Sequence, residues 1–357
     1  MFNYFNINYS FNHLHSSIPF SHSLSSVVMK NSNAAMLWAC TLLLGTAGSA
    51  AAQGNTSIIQ QVGSTNTAEV TQPGRESSST GTQAGNLNTL RVNQSGAFHT
   101  ATATQVGNRN AIIQNQEGAS ATATATQVGE LNSIRQTQLI GPINRAVATQ
   151  VGVSNQLTQD QVGLGNDATA NQVGSRNTGR QLQQGRVGVA TMLQIGDDND
   201  AAQSQGGLAN TVSLVSVGNN NRSSQTQSGG NTAAGNQTGN ENRLLQIQDG
   251  FTNVATATQA GDRNLAEQRQ NEGSVSQNTA ILEQDGDDNR AFQTQGGGLL
   301  TAANQAYIDQ DGDSHLARQQ QRGILNTAQT YQGASAQSST TVQTGDRNQV
   351  IVKQNHP

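Results

Sequence analysis

Cysteine is almost missing from this chain of 357 residues: there is one, Cys40, and it lies outside the repetitive part of the sequence. One thiol builds neither a disulfide framework nor a cysteine metal site. Proline is also scarce, at four residues, which excludes a Pro-rich linker, and the 38 glycines follow no three-residue period, which excludes collagen. Hydrophobic residues make up 33% of the chain, charged residues 11% and aromatics 3%. An ordinary globular domain is about half apolar and about a quarter charged. Past residue 52 there is a single lysine, Lys353, and the formal net charge is -4. Charge this sparse neither stretches the chain nor draws it to nucleic acid. The rings of the repeat region (Phe98, Phe251, Phe292, Tyr307 and Tyr331) are too few to stack bases. Gln, Asn, Thr, Ser, Ala and Gly fill the gap. An amide-rich, weakly charged, Pro-poor chain is prone to β-assembly.

The N-terminal part divides in two. Residues 1–28 hold no Lys or Arg and no repeat, and read as an over-extended start ahead of Met29. Residues 29–52 have Lys30, an apolar stretch from Ala34 to Leu44 and small residues at Ala50, Ala51 and Ala52. That order is the pattern of a secretory signal peptide, with cleavage expected after Ala52. The apolar stretch is too short for a membrane span, which needs about 20 residues. Leu37-Trp38-Ala39-Cys40 faintly resembles a lipoprotein acylation site, but the apolar run continues past the cysteine. Residues 53–357 form the repetitive region, expected to be secreted.

That region is organised by the string Gln-x-Gly-x-x-Asn. It occurs as Gln61, Gly63 and Asn66; Gln105, Gly107 and Asn110; Gln161, Gly163 and Asn166; and Gln194, Gly196 and Asn199. Further copies are Gln248, Gly250 and Asn253; Gln259, Gly261 and Asn264; Gln284, Gly286 and Asn289; and Gln321, Gly323 and Asn326. Others begin at Gln83, Gln127, Gln150, Gln172, Gln205, Gln237 and Gln343. Most spacings are 11 or 22 residues, with slips near Gly141, Ser228, Gly273 and Leu299. Between copies the period is two: Asn253, Ala255, Ala257 and Gln259 share one face, and Val254, Thr256 and Thr258 the other. This is the period of a strand, and Thr, Val and Ile favour extended chain. The glycine suits a tight turn with positive φ, which Asn and Asp beside it also tolerate. Each 11-residue unit therefore reads as a seven-residue strand and a four-residue turn.

One strand–turn–strand pair buries too little to be stable alone. Stacking the pairs solves this, since each strand then bonds to its equivalents above and below, and like amides pair in ladders. The expected fold is all-β: a β-solenoid of strand–turn–strand coils with a 22-residue repeat made of two 11-residue units.

The longer form of the motif, Gln-x-Gly-x-x-Asn-x-Ala-x-x-x-Gln, resembles the curlin repeat of curli, the amyloid fibres of bacterial biofilms. The resemblance covers nearly all of residues 53–357, and rests on the spacing, the glycine and both amide positions. It implies a secreted structural subunit of a cell-surface fibre in the extracellular matrix, acting in biofilm formation and adhesion. In that family Gln and Asn ladders line a β-solenoid whose open ends join. The partners it implies are further copies of the chain, a second curli-type subunit and an outer-membrane secretion pore. No cofactor and no small-molecule substrate are implied. This chain carries many more repeats than a typical curli subunit, and many alternate units lack the Asn. Whether it would be a major subunit or a nucleator stays open.

Other readings are weaker. His99, His315 and His356 are isolated in sequence, and the first two fall where a ladder Asn would sit, so catalysis is not expected. Acidic turns at Asp197–Asp200, Asp285–Asp288 and Asp309–Asp313 suggest calcium, but the period is 11 and no bidentate Glu completes an EF-hand pattern. Charged turns that discourage stray strand pairing are expected instead. The main alternative is a monomeric, capped β-solenoid serving as an adhesin, ice-binding or other surface protein, calcium-binding or not. It needs polar caps, and no distinct cap is visible in the sequence. The leader generates a first test: N-terminal sequencing of exported protein should begin at Gln53, and a start within residues 1–28 would reject the assignment.

Overall fold

The computed structural model describes residues 27–30, 40–42, 54–271, 277–296 and 303–356. Ala50–Ala52, most of the expected leader and the spacing slips near Gly273 and Leu299 lie outside them. All regular structure among the described residues is strand. From Thr56 onward the strands alternate between two parallel sheets, 14 strands in one and 13 of the 15 in the other. The remaining two, Val27–Lys30 and Cys40–Leu42, lie antiparallel at the N-terminal edge of the 15-stranded sheet, with Val27–Lys30 against Thr67–Thr71. Neighbours in each sheet are next-but-one in sequence, so the chain winds as a β-solenoid of about 13 coils and roughly 22 residues per coil. At about 4.8 Å per rung the stack is roughly 60 Å long.

Alternation places the residues. In Val254–Ala260 the inward side chains Ala255, Ala257 and Gln259 are fully buried, while Thr256 and Thr258 face outward. Register keeps like on like: Ala255 pairs with Ala233 and Ala280, and Gln259 with Gln237 and Gln284. The halves of a coil differ. Strands of the 14-stranded sheet mostly offer Ala, a second small or apolar residue and one Gln inward, whereas most facing strands offer a small or apolar residue and two glutamines, as in Leu244, Gln246 and Gln248. Leu244 and Leu90 each fit opposite a glycine. A Cβ added at Gly235 would stand 2.4 Å from Leu244, and one added at Gly81 would stand 2.4 Å from Leu90.

The turns require their glycines twice over. Gly107 has φ of 114°, and a Cβ there would lie 2.0 Å from the carbonyl oxygen of Gly129 in the next coil. Sequence reading had found only the φ requirement; the close approach comes from stacking. Two positions further on, the chain takes a left-handed conformation again at whatever residue is present, including Thr65, Arg109 and Val187. Pairing in the early coils runs through the glycine, as in Gly85 with Gly107, so those strands reach nine residues rather than seven.

The two edges of the stack differ in tolerance. On the edge leading from the 14-stranded sheet to the other, terminal Gln and next inward residue are always five apart, from Gln61 and Asn66 to Gln332 and Gln337. Every length change lies on the opposite edge, at Gln138 to Asn144, Gln227 to Asn231, Gln270 to Asn278 and Gln295 to Asn304. Where one occurs, the glycine column loosens: a Cβ at Gly118 would be 3.4 Å from Gly141, not about 2 Å from it.

Gly107→Ala should therefore lower stability by more than about 2 kcal/mol, since strain and a backbone clash add. Gly165→Ala, at φ 65° with nothing within 4 Å, should cost about 1 kcal/mol. Urea midpoints compare the two, and equal losses would contradict the close-approach argument.

Candidate functional site

The candidate site is the line of amides inside the solenoid. Where terminal Gln residues stack, Nε2 of one donates to Oε1 of the Gln one coil on. In one sheet Gln61 bonds Gln83 at 2.6 Å, Gln83 bonds Gln105 at 2.8 Å and Gln105 bonds Gln127 at 3.0 Å. The column continues through Gln194 and, after Gln237, through Gln259, Gln284 and Gln310 to Gln354. In the other sheet the column includes Gln161 to Gln183, Gln248 to Gln270 and Gln321 to Gln343. The second Nε2 hydrogen crosses the core to a backbone carbonyl of the facing strand, as Gln259 does to Arg243 at 3.1 Å. Each Gln thus ties coil to coil and sheet to sheet.

The asparagines work differently. Oδ1 of Asn66 accepts the backbone N–H of Asn88, at 3.0 Å, and its Nδ2. Asn66 Nδ2 donates in turn to the Gly85 carbonyl at 2.8 Å. This Asn column runs through Asn110, Asn199, Asn264 and Asn289; the other includes Asn166, Asn253 and Asn326. Most of these Asn side chains therefore anchor the glycine turn of a neighbouring coil. The motif glycines Gly63, Gly107, Gly163, Gly196, Gly250, Gly261, Gly286 and Gly323 lie in these turns with positive φ.

Sequence reading missed a third ladder. The middle inward position of the 15-stranded sheet is Gln in ten successive coils, from Gln114 to Gln319. Each bonds the next, and each donates to a carbonyl of the facing strand, such as Gln268 to Thr256 at 2.8 Å. The signal was present, because alternate units read Gln-x-Gln at their end. Gln114 begins this column beneath Val92, and its buried Oε1 has no donor. One break in a ladder is repaired locally: Ser216 stands in a Gln slot, and Gln237 Oε1 instead accepts from the hydroxyls of Ser216 and Ser223.

His99 and His315 occupy Asn slots. Nδ1 of each accepts the backbone N–H of the next coil, at Ala121 and Gln337, both at 3.2 Å. Nε2 of each lies 3.1 Å from the carbonyl four residues back. That geometry needs a neutral ring protonated on Nε2. The acidic turns are used similarly: Oδ1 of Asp262, Asp287 and Asp313 accepts the N–H of Asn240, Asp262 and Asp287. Arg176 with Asp198 and Arg263 with Asp288 form bidentate pairs between coils. The hydrogen bonds from these arginines hold Asp198 and Asp288 below the usual carboxylate range. Among the described residues no three His, Cys, Asp or Glu side chains are gathered as a metal site. No family model matches the chain, and no curated protein matches it.

Two tests follow from the ladders. Asn264→Ala leaves buried partners without their bonds and should cost about 1–3 kcal/mol, while Thr256→Ser on the outer face should change little. Urea unfolding reads both, and equal effects would reject the inward assignment. The second concerns acid. Burial lowers the His99 imidazole below its ordinary value, against the opposing pull of the Ser95 and Gly118 carbonyls. The unfolded chain then takes up the proton first, so stability is complete above about pH 6.5 and is lost as pH falls. The protection of amides around Ala121 against hydrogen exchange, relative to the unfolded chain at the same pH, should fall between about pH 6.5 and pH 5, and His99→Asn should remove that fall.

Proposed function

We propose that this chain is a secreted, curli-like fibre subunit that grows end to end and serves in adhesion and biofilm formation. The observation that carries the reading is the polarity of the ladders. Every Gln-to-Gln bond donates toward the C-terminal coil, so Gln61 meets the N-terminal end with an acceptor and Gln354 meets the other with a donor. The asparagines run oppositely, with Asn348 presenting Oδ1 at the C-terminal end. Among the described residues, strand Thr56–Ser64 has a neighbour on one side only, as do Ser338–Thr344 and Gln349–Gln354. Such edges are templates for a further strand. Opposite ends with opposite donors favour head-to-tail addition, which does not close and so yields a filament.

One observation favours a closed monomer instead. Val27–Lys30 covers the edge of Thr67–Thr71 in the 15-stranded sheet. Those residues precede the expected cleavage site, so a chain that kept them would hold one N-terminal edge occupied.

The chain from Gln53 should form filaments after a lag, bind thioflavin, show a spacing of about 4.7 Å and be seeded by its own fragments. Electron microscopy beside the longer chain from Met1 reads the effect of the covering strand. A sheet-rich monomer from Gln53, stable at high concentration, would reject the fibre reading in favour of the monomeric one.

A further inference from the structure

The two outer faces of the solenoid carry opposite charge in its C-terminal coils. On the 15-stranded sheet the outward residues there include Arg222, Arg243, Arg290, Arg318 and Arg322, all exposed. Arg222 stacks directly on Arg243 in adjacent rungs. None of the five forms an ion pair among the described residues; Arg318 lies 5.2 Å over the Phe292 ring. On the opposite face, the 14-stranded sheet carries Glu283 and Asp285 on one rung and Asp309 and Asp311 on the next. These pair in register, Glu283 with Asp309 and Asp285 with Asp311. Their near basic groups among the described residues are few: His356 lies 3.3 Å from Asp309, and Lys353 is turned over the Tyr331 ring at 5.6 Å. Burial, then the charges of Glu283 and Asp311, raises the Asp309 carboxyl despite His356. Like charges on neighbouring strands are destabilising unless something offsets them.

The positions of these charges match. Counting from the shared turn edge, the first outward column holds Arg290 on one face and Asp285 with Asp311 on the other. The second holds Arg318 on one face and Glu283 with Asp309 on the other. A copy displaced sideways, with no rotation and no axial shift, therefore brings Arg290 to Asp285 and Asp311, and Arg318 to Glu283 and Asp309. Face-to-face sheets sit about 10 Å apart, within the reach of these side chains.

We infer that the arginine face of one solenoid docks on the acidic face of a second copy of this chain, side by side and in register. The contact uses different surfaces on its two partners, so it repeats into an open array rather than closing as a dimer. It is independent of end-to-end growth, because it uses outward residues and not the terminal strands. Between filaments it is a bundling contact; between single solenoids it is lateral association.

The test uses the chain from Gln53 in three forms: unaltered, Arg290→Glu with Arg318→Glu, and Glu283→Lys with Asp309→Lys. Sedimentation and filament width are measured from about 0.01 M to about 1 M salt, over which the screening length falls from about 30 Å to about 3 Å. The unaltered chain should associate laterally at low salt and separate at high salt. Each altered chain, with like charges now facing each other in at least the second matched column, should associate about tenfold more weakly by itself. Mixing the two altered chains brings the unaltered arginine face of one onto the unaltered acidic face of the other and should restore association in pairs, which also shows that both are folded. Filament length under the microscope reads end-to-end growth separately. Unchanged lateral association in either altered chain alone, or no recovery on mixing, overturns the proposal.

Discussion

Everything in this molecule depends on the spacing between parallel strands. At about 4.8 Å per rung, a side chain meets its counterpart in the next coil within hydrogen-bond distance. An inward residue is therefore judged first by how well it pairs with a copy of itself. Gln and Asn meet that demand because each amide is both donor and acceptor. Ala meets it by taking little space. The same spacing brings the Gly107 turn so near Gly129 that no β-carbon fits.

The amides also solve a problem of core composition. A chain with 33% hydrophobic residues cannot close two long sheets on apolar contact alone. Here the apolar contact is a narrow line of Ala, Leu, Ile and Met through the middle, with Gln and Asn on either side. Buried amides are tolerable because nearly all are bonded, along the stack and across to facing carbonyls. Two of the orphaned amides lie where a column is interrupted, Gln114 under Val92 and Gln337 below His315. Substitutions persist where they reproduce the bonds. His99 and His315 do so with two ring nitrogens in place of an amide.

Repetition frees the outer surface to vary. The edge of constant length has an Asn column unbroken from Asn66 to Asn289, whereas Ala121 and Gly188 interrupt the column on the opposite edge. That opposite edge absorbs every insertion and deletion. Outward residues carry no ladder obligation, so charge can gather there, as it does on opposite faces of the C-terminal coils.

The period of 11 and the alternation within it were enough to specify strands, turns, stacking and which residues face inward, because each is a local consequence of repetition. His99 and His315 could be assigned to Asn slots by counting alone. Other features needed the third dimension. The glycine column's steric requirement involves a carbonyl 22 residues away. The middle Gln ladder is recognisable once Gln268 is seen reaching the Thr256 carbonyl across the core. That the length changes share one edge follows from which turn joins which sheet. The opposition of Arg290 and Arg318 to four carboxylates likewise exists only when two sheets stand back to back. Sequence determines what stacks on what, because stacking repeats at fixed intervals along the chain; the winding of the coil decides what faces what across it.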